Sequence, residues 1–259
     1  MGAGALPQPA PRRHAGSGVG DVTAPGLPAQ PPTLAQRHAG PTLVVTGMRF
    51  EAGIAAGPGV ETLHGLRAEA LAQGLRQRLA RPCAGVISFG VAGGLDPALL
   101  PGRVVIASAI HDGSLLRPVD ASWSRALSLA LPQAISGALA GADQAVTSVS
   151  AKSALHAATG ALAVDMESHI AARIAEEFGL PFAACRVVID PAQREVPPAA
   201  VAGMGADGST DIWALLKALL AGPGQVPDLI RLGRDARLAR LALQAARGRV
   251  GMGFGLGRS

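Results

Sequence analysis

The chain has 259 residues, of which 49% are hydrophobic and 16% charged, so it carries enough apolar material for a sizeable core. It contains no apolar run of about 18 residues, which argues against a membrane span, and no apolar signal region at the N-terminus, so we expect a cytoplasmic protein. The formal net charge of +5 lies at the ends, since residues 41–227 have a net charge of −2, which argues against a nucleic-acid groove in the core.

The predicted elements begin after residues 1–40, which are rich in Pro, Gly and Ala and are predicted to form a disordered extension. Apolar runs typical of strands then alternate with segments of helical spacing. The predicted strands are residues 42–46, 85–89, 103–108, 145–150 and 182–189. The predicted helices are residues 66–79, 123–131, 152–159, 169–178, 211–220 and 227–246. This alternation predicts a layered α/β fold with a mixed sheet.

Three connecting segments are expected to be irregular. Residues 51–56 leave the first strand and are predicted to form a turn. The glycines of residues 90–94 predict a Gly-rich turn after the second strand. Residues 248–259 are also rich in glycine, and we expect a frayed tail there.

Two motifs that carry carboxylates lie in the middle of the sequence. Asp165-Met166-Glu167 directly precedes a predicted helix, and Asp190 ends a buried strand that also carries Arg186. Open α/β sheets place their sites at this end of their strands. Two such carboxylates can face one small polar ligand, one holding hydroxyl groups while the other handles a proton.

These motifs resemble the nucleoside phosphorylase and nucleosidase superfamily, most closely its methylthioadenosine/S-adenosylhomocysteine nucleosidase branch. The landmarks are residues 46–51 (TGMRFE), residues 88–97 (SFGVAGGLDP) and the two motifs above, in that order. The resemblance covers residues 41–200. It implies a single-domain three-layer α/β/α sandwich with a central mixed sheet, a homo-oligomer, and an enzyme that cleaves an N-ribosidic bond. The catalytic domain would span residues 41–227, followed by a basic C-terminal helix and tail over residues 228–259.

The resemblance assigns two catalytic residues. Asp190 matches the acid that protonates the leaving purine, although a turn Asp before Pro191 is the structural alternative. Glu51 matches the carboxylate that positions the attacking water, and its alternative is a solvated loop carboxylate. Water and phosphate remain open as nucleophiles. Ser88 stands where phosphorylases carry a phosphate-binding Arg, which favours water, and Arg49 could take that role instead.

The resemblance also assigns the substrate-binding residues. Glu167 matches the carboxylate that binds the ribose 2′- and 3′-hydroxyls, and Met166 matches the thioether that packs under the sugar. Arg186 either orients a carboxylate of the site or forms a structural ion pair. Asp165 is expected to cap the following helix. The segment of the Gly-rich turn that would approach the ligand is Gly90, Val91, Ala92 and Gly93. No His/Cys/Asp cluster has metal-ligand spacing, so we expect no metal and no cofactor, with phosphate the one candidate co-substrate.

Residues 186–199 and the Arg-rich C-terminal helix resemble the hopanoid-biosynthesis-associated phosphorylases. This resemblance implies that the substrate is adenosylhopane, a lipid-linked adenine nucleoside, from which adenine is released to leave a ribosyl-hopane. Residues 145–150 lack the aromatic that usually stacks on adenine. Two alternatives stay open: a general methylthioadenosine/S-adenosylhomocysteine nucleosidase, and a non-catalytic nucleoside-binding module.

The C-terminal helix is predicted to have one apolar face, formed by Leu229, Leu232, Ala236, Ala239 and Leu243, with several Arg elsewhere around it. A basic amphipathic helix can lie on the anionic inner surface of a membrane. Packing of the same face against the core is the alternative.

Overall fold

The computed structural model describes residues 1–2, 40–66, 68–198, 200 and 226–256. Every element lies in one unit, residues 32–259, while a separate unit of residues 1–31 falls almost wholly outside the described residues. Residues 3–39 of the predicted disordered extension and the whole predicted helix over residues 211–220 lie outside the described residues. Within the described ranges, no helix is both long enough and apolar enough to cross a membrane.

In the part of the chain that the structure describes, eight strands form one mixed sheet. In chain order they are β1 (Thr42–Thr46), β2 (Val60–His64), β3 (Gly85–Gly94), β4 (Val104–Asp112), β5 (Leu115–Pro118), β6 (Ile135–Gly141), β7 (Ala163–Asp165) and β8 (Phe182–Asp190). The sheet runs in the order β2-β1-β3-β7-β6-β4-β5, and β8 pairs with both β3 and β4. Strands β3, β8, β4, β6 and β7 thus pair in a closed circuit, and the sheet curls on itself.

Helices cover both faces of this sheet. They are α1 (Arg49–Ala55), α2 (Ala68–Leu79), α3 (Ala121–Ala130), α4 (Val149–Thr159), α5 (Ser168–Glu177) and α6 (Val226–Arg249), followed by a short 3₁₀ helix, Met252–Gly255. One core cluster joins α2 and α5 to the sheet, and a second joins α3, α6 and the 3₁₀ helix to it. Neighbouring strand residues alternate between the clusters, as Val86 and Ile87 do, because successive side chains of a strand point to opposite faces. The predicted mixed α/β fold with a central mixed sheet is confirmed.

Local capping explains where the site-bearing helix α4 begins and ends. The Ser148 hydroxyl accepts a hydrogen bond from the Ala151 N–H at 3.2 Å, which satisfies a free donor of the first turn. At the other end Gly160 adopts the left-handed conformation, with φ of 66°, which glycine tolerates without a Cβ clash. These two caps therefore define the two ends of α4.

Several local predictions were wrong. Residues 51–56 belong largely to α1 instead of a turn, and the predicted Gly-rich turn over residues 90–94 is the second half of β3. Residues 145–150 form a loop and the start of α4 instead of a strand. The glycines of β3 led to the wrong prediction of a turn, because a strand also tolerates glycine where other side chains approach its backbone closely.

The predicted frayed tail is also wrong over the described part of that segment. Phe254 is fully buried, and its ring meets that of Phe89 edge-on at 4.9 Å between centroids. The indole N–H of Trp123 donates to the Phe254 carbonyl at 2.8 Å. The 3₁₀ helix therefore belongs to the core on the α3 and α6 side.

The apolar face of α6 is turned inward. Ala239, Leu243 and Ala246 are buried in the second core cluster, so this face packs against the core, and it is not free to lie on a membrane. The outward face carries exposed arginines together with the exposed apolar residues Ile230, Leu238 and Leu241.

Candidate active site

A cavity of about 420 Å³ lies at the carboxyl ends of β1, β3, β7 and β8 and is covered on one side by α6. Its described lining contains four carboxylate residues and no Arg, Lys or His. These carboxylates are Glu51, Asp165, Glu167 and Asp190. The rest of the lining is mainly apolar and includes Val91, Ala92, Gly93, Met166, Val196, Leu229 and Leu232.

Glu51 is held by two backbone amides. Its Oε1 accepts from the Val91 N–H at 2.7 Å, and its Oε2 accepts from the Met48 N–H at 2.7 Å. The residue is 1% exposed, so the alternative of a solvated loop carboxylate is wrong. Burial raises the pKa of Glu51, against the opposing charge of Arg186 and the backbone hydrogen bonds.

Arg186 lies behind the cavity wall among acidic groups. Its Nη2 is 3.1 Å from Glu167 Oε2, and its Nε is 2.9 Å from Asp165 Oδ2. The guanidinium is 1% exposed, and the hydroxyl of Ser88 accepts from it at 2.5 Å. Its positive charge is therefore shared among carboxylates of the site, an arrangement that fits both interpretations of Arg186.

Glu167 has an unusual proton affinity. Burial raises its pKa to about 7, with Asp165 and Glu51 adding to the rise and Arg186 opposing it. The backbone before it is fixed by Asp165, whose Oδ1 accepts from the N–H groups of Glu167 at 2.9 Å and Ser168 at 2.7 Å. The prediction that Asp165 is the N-cap of α5 is wrong, because that position is held by Glu167, which makes no side-chain cap hydrogen bond. Asp165 instead fixes the turn before α5, from which Met166 and Glu167 reach the cavity.

Asp190 forms a buried ion pair with Lys152, a residue that the sequence analysis did not single out. The Lys152 ammonium donates to Asp190 Oδ2, and Lys152 is fully buried on α4. Burial raises the pKa of Asp190, and the Lys152 charge opposes the rise. The one sequence signal that could have found Lys152 is a lone charge in the Ala-rich segment of α4.

The cavity brings together all the predicted site residues except Gly90 and Arg186. The expectation that Gly90 makes room for the ligand is wrong. A Cβ at Gly90 would lie 2.6 Å from Glu51 Oε1 and 2.7 Å from Arg186 Nη1, so the missing side chain accommodates these two groups. Arg49, the candidate phosphate-binding residue, is exposed and does not line the cavity.

Comparison with known families identifies the class of protein. The model of the phosphorylase superfamily matches residues 66–221, which include the Gly-rich strand, Asp165-Met166-Glu167 and Asp190. The chain belongs to the phosphorylase superfamily. The prediction of a nucleosidase- or phosphorylase-type enzyme is confirmed at this level. A search of curated protein sequences gave no match.

Solved structures share the fold at low sequence identity. A Helicobacter pylori methylthioadenosine/S-adenosylhomocysteine nucleosidase mutant, with 5′-methylthioadenosine in its active site, is 17% identical with a TM-score of 0.56. The H. pylori futalosine hydrolase is also 17% identical with a TM-score of 0.56. Each comparison covers 80% of this chain and 97% of the other. A putative methylthioadenosine/S-adenosylhomocysteine nucleosidase from Francisella philomiragia is 14% identical, with a TM-score of 0.58. This comparison covers 81% of this chain and 96% of the other.

Proposed function

We propose that this protein cleaves the N-glycosidic bond of an adenine nucleoside. The observation that carries the proposal is the grouping of Glu51, Glu167 and Asp190 on one cavity. Such cleavage needs an acid for the leaving purine, a group that binds the ribose hydroxyls, and negative charge near a sugar that becomes cationic in the transition state. The three carboxylates can supply all of these.

Each carboxylate has a distinct role in this proposal. Asp190 gives a proton to purine N7 as the bond between the anomeric carbon and N9 breaks. Glu167 accepts hydrogen bonds from the 2′- and 3′-hydroxyls, while Met166 packs under the sugar. Glu51 orients the nucleophile on the opposite face. Val91, Ala92 and Gly93 form the floor of the ligand site, and Arg186 orients Glu167 from behind the cavity wall.

We propose water as the nucleophile instead of phosphate. A phosphate dianion would enter a cavity whose described lining carries four carboxylates and no cationic side chain. Like charges at short range repel strongly in a buried site. The guanidinium of Arg186 is already paired with Asp165 and Glu167, so it offers little to a second anion.

For the substrate we propose adenosylhopane, which would release adenine and leave a ribosyl-hopane in hopanoid biosynthesis. One wall of the cavity is apolar and comes from the first turns of α6, with Leu229, Leu232, Gly233 and Ala236. An apolar wall beside a ribose-binding carboxylate suits a nucleoside with a large apolar substituent. The outward face of α6, with Arg231, Arg234 and Arg237 beside Leu238 and Leu241, is our candidate for contact with an anionic membrane surface.

The experiment is a comparison of adenine release from adenosylhopane, 5′-methylthioadenosine and adenosine, each followed by liquid chromatography. We expect the highest kcat/KM with adenosylhopane. A preference for 5′-methylthioadenosine would instead favour a general nucleosidase, whose fold this chain shares. No adenine from any of the three substrates would favour a non-catalytic binding module.

A further inference from the structure

Lys152 is the buried cation nearest the proposed acid. Its side chain is fully buried, and besides Asp190 Oδ2 it donates to the carbonyls of Pro191 at 3.1 Å and Arg194 at 2.8 Å. An ammonium group has three N–H donors, so these three acceptors satisfy it. Lysine is rarely fully buried without such partners.

These contacts fix the segment that follows β8. The Val196 N–H also donates to the Thr147 carbonyl at 2.9 Å, which holds the same segment against the residues before α4. Arg194 pairs with Asp235 of α6 at 2.6 Å. The charged groups facing Asp190 are therefore Lys152 from α4, Arg194 from the segment after β8, and Asp235 from α6.

The ion pair makes the two carboxylate oxygens of Asp190 different from each other. Oδ2 is occupied by Lys152, whereas no hydrogen bond to Oδ1 occurs within the described ranges, and the carboxyl group lines the cavity. Oδ1 is thus the oxygen available to a ligand. A carboxyl group that could rotate freely would present either oxygen, and the ammonium prevents this.

We propose that Lys152 is a positioning residue for Asp190: it holds the carboxyl group with Oδ1 toward the substrate and stabilises the carboxylate left when the proton is given up. This inference rests on the proposed function. In the step concerned, the proton moves from Oδ1 to purine N7 and the electrons of the bond to the anomeric carbon pass to the purine. Water then forms a bond to the anomeric carbon and gives a proton to Glu51, while Lys152 transfers none of its protons.

Lys152 also affects the pKa of Asp190, which depends on two opposing effects, burial and the charge of the ammonium group. Burial alone raises the pKa of Asp190 and would make its proton hard to release, whereas the ammonium opposes that rise. A general acid works best when its pKa lies near the pH at which the enzyme works. Without Lys152, the pKa of Asp190 should rise further, and the protonated acid should persist to higher pH.

The test measures kcat/KM for adenine release against pH in the wild type, Lys152→Met, Asp190→Asn and the double variant. The substrate is whichever of adenosylhopane, 5′-methylthioadenosine and adenosine the wild type cleaves. Ser153→Met is the matched control, because Ser153 is the exposed neighbour on α4. We expect Lys152→Met to lower kcat/KM by at least about tenfold. The high-pH limb of its curve of kcat/KM against pH should move to higher pH by about one unit or more. In the Asp190→Asn background, the same change should cost less than about threefold, because Lys152 acts through Asp190.

An equal loss in both backgrounds with an unmoved limb would show that Lys152 is merely structural and would overturn the proposal, as would full activity of Lys152→Met. If Lys152→Met does not fold, Lys152→Gln, which keeps N–H donors without the charge, is measured in the same way, and an unmoved limb again overturns it. A wild type that releases no adenine contradicts the proposed function itself, whereas an active wild type with an unaffected variant contradicts only this inference.

Discussion

The carboxylate of Glu51 accepts a hydrogen bond from the backbone N–H of Val91 at 2.7 Å, across forty positions of the chain. This contact joins α1 to β3 and places the carboxylate beside the Arg186 guanidinium. It is possible because Gly90, the residue before Val91, has no side chain in the way.

Gly90→Ala should therefore disable the site. The new Cβ would lie 2.6 Å from Glu51 Oε1 and 2.7 Å from Arg186 Nη1, so one or both groups must move. A displacement of about 1 Å can cost on the order of a hundredfold in rate, and we expect a loss of at least about tenfold in kcat/KM for adenine release. Gly53→Ala is the control, since nothing lies within 4 Å of a Cβ there. Equal activity of the two variants would contradict the packing described.

Asp190→Asn should reduce adenine release by at least about a hundredfold, because an amide cannot donate the proton that the purine needs. The measurement is kcat from chromatography of free adenine, with circular dichroism to verify the fold. Asp143→Asn is the matched control, because Asp143 is 76% exposed and does not line the cavity. Near-normal turnover of Asp190→Asn would rule out Asp190 as the acid.

Activity should fall as the pH drops through about 7, the pKa of Glu167, because protonation leaves one oxygen fewer to accept from the ribose hydroxyls. The measurement is the low-pH limb of kcat/KM. Glu167→Gln should have much lower activity without this limb. A limb unchanged in Glu167→Gln would assign it to another group.

The same shift affects stability with a definite sign. The folded-state pKa of Glu167 lies above its ordinary value of 4.5, so the folded protein binds this proton more tightly than the unfolded chain does. The contribution of Glu167 to the free energy of unfolding is thus highest at low pH and declines between about pH 4.5 and 7. Urea unfolding of the wild type at several pH values should show this decline. The decline should be smaller in Glu167→Gln, where only the raised pKa values of Glu51 and Asp190 contribute to it.

Phe254→Ala should destabilise the protein by about 3–5 kcal/mol, as expected for removing a fully buried aromatic ring. Phe254 packs on Phe89 beneath the sheet that carries the site. Met252→Ala, in the same 3₁₀ helix but 77% exposed, should change the free energy of unfolding very little. Urea unfolding checks both, and a neutral Phe254→Ala would restore the expectation of a frayed tail.

The sequence predicted those elements whose signal is local. Strands β1 and β8 are mainly apolar and rich in Val, and α2, α5 and α6 have clear helical spacing that ends near Gly or Pro. Strand β6 was missed because its sequence, ISGALAG, has one β-branched residue and no aromatic, whereas strands are usually rich in both. Strand β7 has only three residues, too few for any periodicity.

The site was predicted less completely for a similar reason. Asp165, Met166 and Glu167 are adjacent in sequence, and Asp190 ends a recognisable strand, so their grouping could be anticipated. Lys152 contacts Asp190 across 38 positions, and nothing in its own neighbourhood predicts that partner. The actual role of Gly90 also depends on Glu51 and Arg186, which only the folded chain brings together.

Hydrolysis of an adenine nucleoside in this cavity is tested most directly by incubating the protein with adenosylhopane in ¹⁸O-labelled water, with and without phosphate. Both products are identified by mass. We predict free adenine and a sugar product carrying one ¹⁸O at its anomeric carbon, formed at the same rate in both buffers. Failure to release adenine, or a strict phosphate requirement with a sugar 1-phosphate product, would contradict the account.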